Sequence, residues 1–365
     1  MKVVVYGICK NEEAFVQRWL ESMKEADEII VLDTGSSDNT AELLREGGAV
    51  VREEVISPWR FDTARNRSLE LVPEDADICV CTDLDEVFHP GWRMRLERAW
   101  KKGSSQARYR YTWSFTEDGR EGMVFWIEKI HARHGFCWRH PVHEVLVWTG
   151  EGQQGPVVTA EGVQLDHYPD DKKSRGQYLE LLELSVEEDP QDDRNMHYLG
   201  REYMYRGRWD DCIRTLKRHL MLPSASWKDE RAASMRYIAR AYRGKGDNAA
   251  ARDWYLRAAA EAPYLREAYL ELARMLYEEE EWEGVLYFTG CALNIKNRPD
   301  TYISEAEAWG SLPHDLRAIA FDRTGREKEA LSEAEKALEM EPGNERLEGN
   351  VKVLRLRCSG DEHME

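Results

Sequence analysis

Asp77-Ile78-Cys79-Val80-Cys81-Thr82-Asp83-Leu84-Asp85-Glu86 runs from an apolar stretch straight into paired carboxylates. Five β-branched, sulfur or hydroxyl residues in a row read as a buried strand, Asp77–Thr82, that stops at Asp83. Two carboxylates at one strand end repel each other unless a cation or donor groups compensate. A divalent metal carrying a diphosphate supplies that compensation. The intervening Leu84 lets both acids leave one turn toward one ligand.

Outward from that stretch, residues 1–100 alternate strands with helices. Val3–Ile8 is a β-branched strand, and Ala14–Lys24 sets Phe15, Trp19, Leu20 and Met23 on one helical stripe. Glu28–Asp33 is a second strand, closed by Thr34-Gly35-Ser36-Ser37; Ser37 or Asp38 caps the helix that follows. Val50–Val55 reads as a third strand and Thr63–Leu71 as a helix. Such alternation predicts a parallel sheet with ligands at the carboxyl ends of its strands. Residues 101–170 turn aromatic and basic and read as antiparallel strands at Ala107–Phe115, Met123–Lys129 and Glu144–Trp148. Trp113, Phe115, Trp126, Trp138 and Trp148 crowd this segment; alternating aromatics in strands are expected mainly in a core.

From about Lys173 the chain becomes helical and repetitive. Leu199-Gly200-Arg201-Glu202-Tyr203 precedes Gly207-Arg208-Trp209, Ala239–Tyr242 precedes Gly246-Asp247, Leu272-Ala273 precedes Glu281-Trp282, and Ile319-Ala320 precedes Gly325-Arg326. Prolines 190, 223, 263, 299 and 342 punctuate them. A helix pair of about 34 residues with L-G-x-x-Y in its first helix is the tetratricopeptide pattern. Stacked pairs offer a concave face to peptide or protein, or assemble the chain into an oligomer.

The 365 residues carry 51 Lys+Arg against 69 Asp+Glu, a net charge of −18. That disfavours nucleic acid and anionic membranes as partners. No apolar run reaches the ~18 residues of a membrane span. Met1–Glu13 turns charged too soon for a signal peptide. Seven cysteines without a C-x-x-C fit a reducing cytoplasm, with Cys79 and Cys81 expected as buried thiols.

In order along the chain stand Ile8-Cys9-Lys10-Asn11-Glu12-Glu13, Val31 to Thr40 around Asp33, Phe61-Asp62-Thr63-Ala64-Arg65-Asn66, and Thr82-Asp83-Leu84-Asp85-Glu86. This set resembles the family 2 glycosyltransferases, in the soluble branch that begins with C-K-N-E-E. The resemblance covers about residues 1–170, and the attached repeats give the two-part layout of sublancin-type peptide S-glycosyltransferases. It implies an α/β GT-A (Rossmann-like) nucleotide-sugar domain over 1–172, an all-α tetratricopeptide-like repeat domain over 173–355, and a tail over 356–365.

It further implies inverting hexosyl transfer from a nucleotide sugar, usually UDP-linked, assisted by Mn²⁺ or Mg²⁺. The expected acceptor is a protein or peptide held by the repeats. Saccharide, lipid-linked and modified-nucleobase acceptors, or a non-catalytic scaffold, are the alternatives. Asn11, Glu12, Asp33, Arg65 and Asp83 are the expected donor-binding residues, with Asp33 toward a uracil N–H or serving as a turn aspartate. Glu86 is expected to support its turn. By the same resemblance Asp83 and Asp85 meet the metal, His167 is its third ligand, and Glu144, in His140-Pro141-Val142-His143-Glu144, is the catalytic base. A zinc site from His131, His134, His140 and His143 is disfavoured by their spacing.

Overall fold

The computed structural model describes residues 1–116, 119–169 and 176–361. It divides into two compact units, Met1–Pro190 and Gln191–Glu365. The expected boundary at 172/173 lies outside the described residues, as do the last residues of the expected tail.

In the first unit the elements run β1 (Val3–Cys9), α1 (Glu13–Met23), β2 (Glu28–Asp33), α2 (Thr40–Glu46), β3 (Val50–Glu53), α3 (Phe61–Glu70) and β4 (Ile78–Cys81). They continue as β5 (Glu86–Phe88), α4 (Trp92–Ala99), β6 (Gln106–Thr112), β7 (Val124–Ala132), β8 (Phe136–Arg139), β9 (Val145–Trp148), β10 (Val157–His167) and α5 (Tyr178–Glu188). One eight-stranded sheet has the order β3-β2-β1-β4-β7-β6-β10-β5, and β8 pairs with β9 apart from it. The first four strands are parallel, as expected. The sheet then becomes mixed, because β7 lies antiparallel to both β4 and β6 while β10 runs parallel to β6.

Burial on both faces explains the near-continuous apolar strands. Val3 and Val5 face a core with Trp19, Met23, Leu44, Trp92 and Leu96. Val4 and Tyr6 face the other way, with Leu69, Cys79, Cys81 and Trp138. Both strand thiols are therefore buried, as expected. α5 belongs to this unit. Tyr178 packs its ring near Phe61 and His143, and Glu188 pairs with Arg60.

The second unit is built of helix pairs that resemble tetratricopeptide repeats. They are α6 (Asp193–Tyr205) with α7 (Trp209–His219), α8 (Lys228–Gly244) with α9 (Asn248–Glu261), α10 (Glu267–Glu278) with α11 (Trp282–Asn294), and α12 (Leu312–Arg323) with α13 (Glu327–Met340). A final helix, α14 (Glu345–Asp361), runs through most of the expected tail. Small residues at one position of each first helix let its partner approach. A Cβ on Gly200 would stand 2.2 Å from Leu216, and Ala239, Ala273 and Ala320 are fully buried. The turns between paired helices need a left-handed residue, supplied by Gly207, Gly246 and Gly325 and, in the third pair, by Glu280 at φ 58°.

Between α11 and α12 the repeat pattern is interrupted by residues 295–311, which include a short 3-10 helix at Ala306–Trp309. This segment lies on first helices: Glu305 pairs with Arg236 and Arg240 of α8, and Trp309 Nε1 donates to Glu267 of α10. Among the described residues no helix is long and apolar enough to cross a membrane.

Gly7 ties β1 to the strand end that carries Asp83, because a Cβ there would meet the backbone carbonyl oxygen of Thr82 at 2.6 Å. The backbone of β4 cannot swing away without moving Asp83. Gly7→Ala is expected to destabilise the chain by roughly 1–3 kcal/mol through overpacking. Chemical denaturation measures it, and an unchanged midpoint would show that the two strands have slack.

Candidate active site

Because β1, β2 and β4 are parallel, their carboxyl ends share one edge, where Asp33 ends β2 and Asn11 and Asp83 stand two residues beyond β1 and β4. Leu84 is fully buried and anchors the turn between the two acids. Glu86 locks the same turn: its Oε2 accepts from the Asp83 N–H at 2.9 Å and its Oε1 from Tyr111 Oη at 2.8 Å. This is the turn-supporting place expected for it.

Arg65 is 3% exposed on α3 and uses every edge of its guanidinium. Nη2 donates to Asp83 Oδ1 at 2.6 Å, Nε to Glu144 Oε1 at 3.0 Å, and Nη1 faces Cys81 Sγ at 3.6 Å. The neighbouring residue of α3 holds the rest of that wall. Asn66 makes a two-way hydrogen bond with the Trp138 backbone, and the Phe61 N–H donates to the Pro141 carbonyl. Glu144 therefore reaches Arg65 through a loop pinned to α3 at both sides. That loop carries His140 and His143 at φ 80° and 52°. Asn11, on the first strand's loop, has φ 54°. Left-handed non-glycine residues cost energy and cluster where a fold fixes functional groups.

Lys129 of β7 completes the network, with Nζ 3.2 Å from Asp83 Oδ2 and 2.8 Å from Glu86 Oε1. Burial alone would raise the Asp83 carboxyl, but Arg65 and Lys129 outweigh it and hold Asp83 well below the usual carboxylate range. Burial pushes the Glu86 carboxyl up despite Lys129, with Asp83 and Asp85 adding to the rise. Sequence reading missed Lys129 as a site residue. The register passes from Ala107↔Ile130 to Tyr109↔Ile127, so β7 carries one extra residue. A bulge of this kind re-aims side chains, and strict alternation cannot anticipate it.

Both Asp83 oxygens are thus engaged, and the expected set of Asp83, Asp85 and His167 does not converge. Among the described residues their ligand atoms do not all come within 4.8 Å of one another. The cause is electrostatic: Arg65 and Lys129 draw Asp83 toward α3 and β7. Asp85 and His167 do meet, with Oδ2 and Nε2 3.4 Å apart. His167 Nδ1 lies 2.9 Å from the Trp113 carbonyl, so that N–H donates there. Burial alone would lower the imidazole, but the hydrogen bond and charge of Asp85 outweigh it and raise it, so without a cation the pair is held by the imidazolium proton. A divalent ion would replace that proton between Nε2 and Asp85. The donor set, one carboxylate and one imidazole, fits a divalent ion.

Asp33 is buried, and its Oδ1 accepts from the N–H groups of Gly35 and Ser36 at 2.8 and 2.7 Å. It serves as the turn aspartate, with Oδ2 facing Cys9 Sγ at 3.4 Å. Asn11 Oδ1 accepts from the Ser37 N–H at 2.7 Å, and the Glu12 N–H donates to Thr40 Oγ1. Asp38 accepts from the Thr40 N–H in the turn that opens α2.

The aromatic expectation is corrected in part. Trp138 is buried, whereas Trp113 and Trp126 are 40% and 41% exposed, Trp113 stacked on His167. Of the four histidines weighed for zinc, His131 is buried against Tyr6 Oη and pushed down to about 4 by burial. His134 sits at the surface beside Glu74.

Residues 5–146 match the family described as Glycosyl transferase family 2. Over 112 residues the chain is 39% identical to the lipopolysaccharide core biosynthesis glycosyltransferase LpsC of Rhizobium meliloti (strain 1021). That stretch takes in 24% of this chain and 39% of the relative, so the match spans well under half of that protein. Among solved structures, MamA is 22% identical with a TM-score of 0.38, covering 48% of this chain and 96% of its own. The C-terminal part of a TPR repeat-containing protein from Cytophaga hutchinsonii is 14% identical with a TM-score of 0.41, covering 51% and 68%. Both TM-scores are low. The family match falls on the unit that holds Arg65, Asp83 and Glu144, and over residues 5–146 the chain is similar to glycosyl transferase family 2.

Proposed function

We propose that the chain moves a sugar, a hexose, from a UDP-linked nucleotide sugar to a protein or peptide acceptor, with inversion at the anomeric carbon. The observation that carries this reading is the closed network in which Arg65 joins Asp83 at the end of β4 to Glu144 of the acceptor-side loop. A non-catalytic scaffold would have no need to gather three carboxylates and two cations, with Arg65 and Glu86 buried and the others half-buried, at one strand edge.

Asp33 Oδ2, which accepts only from the weak Cys9 thiol donor, would take the N–H of the base, and Asn11 and Glu12 shape the loop beneath it. Asp83 keeps a second lone pair on each oxygen for a ribose hydroxyl. Asp85 and His167 would hold Mn²⁺ or Mg²⁺, which supplies charge neutralisation for the departing diphosphate. Glu144 takes the acceptor proton as the sugar carbon is attacked. Its Oε1 is held by Arg65, which aims the other oxygen.

The protein acceptor is supported by the helix pairs, although the 295–311 segment covers part of α8 and α10. A saccharide acceptor is the second reading, favoured by the exposed Trp113 stacked on His167 beside Asp85 and by a relative named for lipopolysaccharide core synthesis. Intact-mass analysis after incubation with UDP-sugars separates the two. Labelled peptide supports the first reading, labelled oligosaccharide the second.

Calorimetric titration with UDP is expected to give much tighter binding with Mn²⁺ than with EDTA, and Asp85→Asn should erase that difference. Equal, metal-independent binding by both proteins would remove Asp85 from the metal site. Glu144→Gln is expected to keep UDP binding while transfer to a hydroxyl falls by about 10²-fold or more. Undiminished transfer by this variant would place the base elsewhere.

A further inference from the structure

Three helices of the second unit bring metal-ligating side chains to one point that the transfer reaction does not use. Asp193 opens α6, His219 closes α7 and Glu230 stands in the first turn of α8. One ligand atom from each lies within 4.8 Å of those of the other two. His219 Nε2 and Glu230 Oε1 are 3.2 Å apart. Ligand atoms about 2.0–2.1 Å from a tetrahedral Zn²⁺ stand roughly 3.3 Å from one another, so this pair already has the required spacing.

The outer atoms of both groups are fixed. His219 Nδ1 lies 3.0 Å from Ser234 Oγ, itself 2.7 Å from His197 Nδ1. When Nδ1–H donates to Ser234, Nε2 presents its lone pair to Glu230. Glu230 Oε2 accepts from Tyr302 Oη of the 295–311 segment. Metal-binding imidazoles and carboxylates are held this way, which sets the tautomer and the ring plane. His219 and Glu230 are buried, and Asp193 is partly exposed.

The Asp193 carboxylate makes no hydrogen bond or ion pair among the described residues, although its position beside Glu230 sets two acids at close range. The N-terminus of α6 tolerates one carboxylate but does not account for the convergence of three ligands. An imidazole with two carboxylates suits zinc better than Mg²⁺ or Ca²⁺, which take oxygen ligands.

We propose that Asp193, His219 and Glu230 form a zinc site that clamps α6, α7 and α8 together, with water at the fourth position on the exposed side. Through Tyr302 the same site holds the 295–311 segment onto α8. It is separate from any cation at Asp85 and His167.

The test uses the tag-free full chain carrying Asp85→Asn, stripped with chelator and titrated with Zn²⁺ alone. One equivalent is expected to bind and to raise the melting temperature, and Co²⁺ in its place should give the visible absorption of a four-coordinate ion. Adding Asp193→Asn or His219→Gln should weaken Zn²⁺ binding by about tenfold or more. Asp193 is partly exposed, so its variant stays folded even where the buried His219 variant does not. Failure of the Asp85→Asn chain to bind Zn²⁺, or equal affinity after Asp193→Asn, overturns the proposal. Loss of UDP binding in Asp85→Asn bears only on the transferase reading, so the two can fail independently.

Discussion

A buried guanidinium constrains everything around it. Arg65 sits almost without solvent, and such a charge is tolerated only with its donors satisfied. Asp83 and Glu144 satisfy it from two different parts of the chain, and Lys129 then balances Asp83 against Glu86. Removing one member strands the others, at a cost of about 3–5 kcal/mol for a buried pair. The carboxyl edge of the sheet is therefore assembled before any ligand arrives. Preorganisation of this kind lets a site stabilise developing charge without reorganising during the reaction.

The same network reassigns the two acids of the Asp83-Leu84-Asp85 turn. Asp83 is part of the protein's own charge balance, with both oxygens engaged. Asp85 turns the other way, sharing its oxygen with His167 at the end of β10. Leu84, pinned in the core between them, sends the two in different directions.

The second unit shows what a repeat pattern tolerates. Its small residues and left-handed turns recur, and Glu280 stands in for glycine without ending the pattern. The break comes at residues 295–311, whose Glu305 adds to the charge cluster of Arg236, Arg240 and Glu271. Part of the first-helix face is thus covered by the chain itself, which narrows the surface left to a partner.

The sequence by itself determined the parallel half of the sheet, the helix pairs and the strand-end positions of Asn11, Asp33 and Asp83. These follow from short-range periodicity and turn chemistry, which neighbours in the chain dictate. The placing of β10 and with it His167, the bulge that aims Lys129, and the meeting of Arg65 with Glu144 were decided only by the tertiary structure. Each depends on a register or a loop path between segments far apart in sequence, where a one-residue shift turns a side chain to the other face. The inclusion of α5 in the first unit and the convergence of Asp193, His219 and Glu230 have the same origin. Ring packing and helix stacking bring together residues whose spacing along the chain carries no signal.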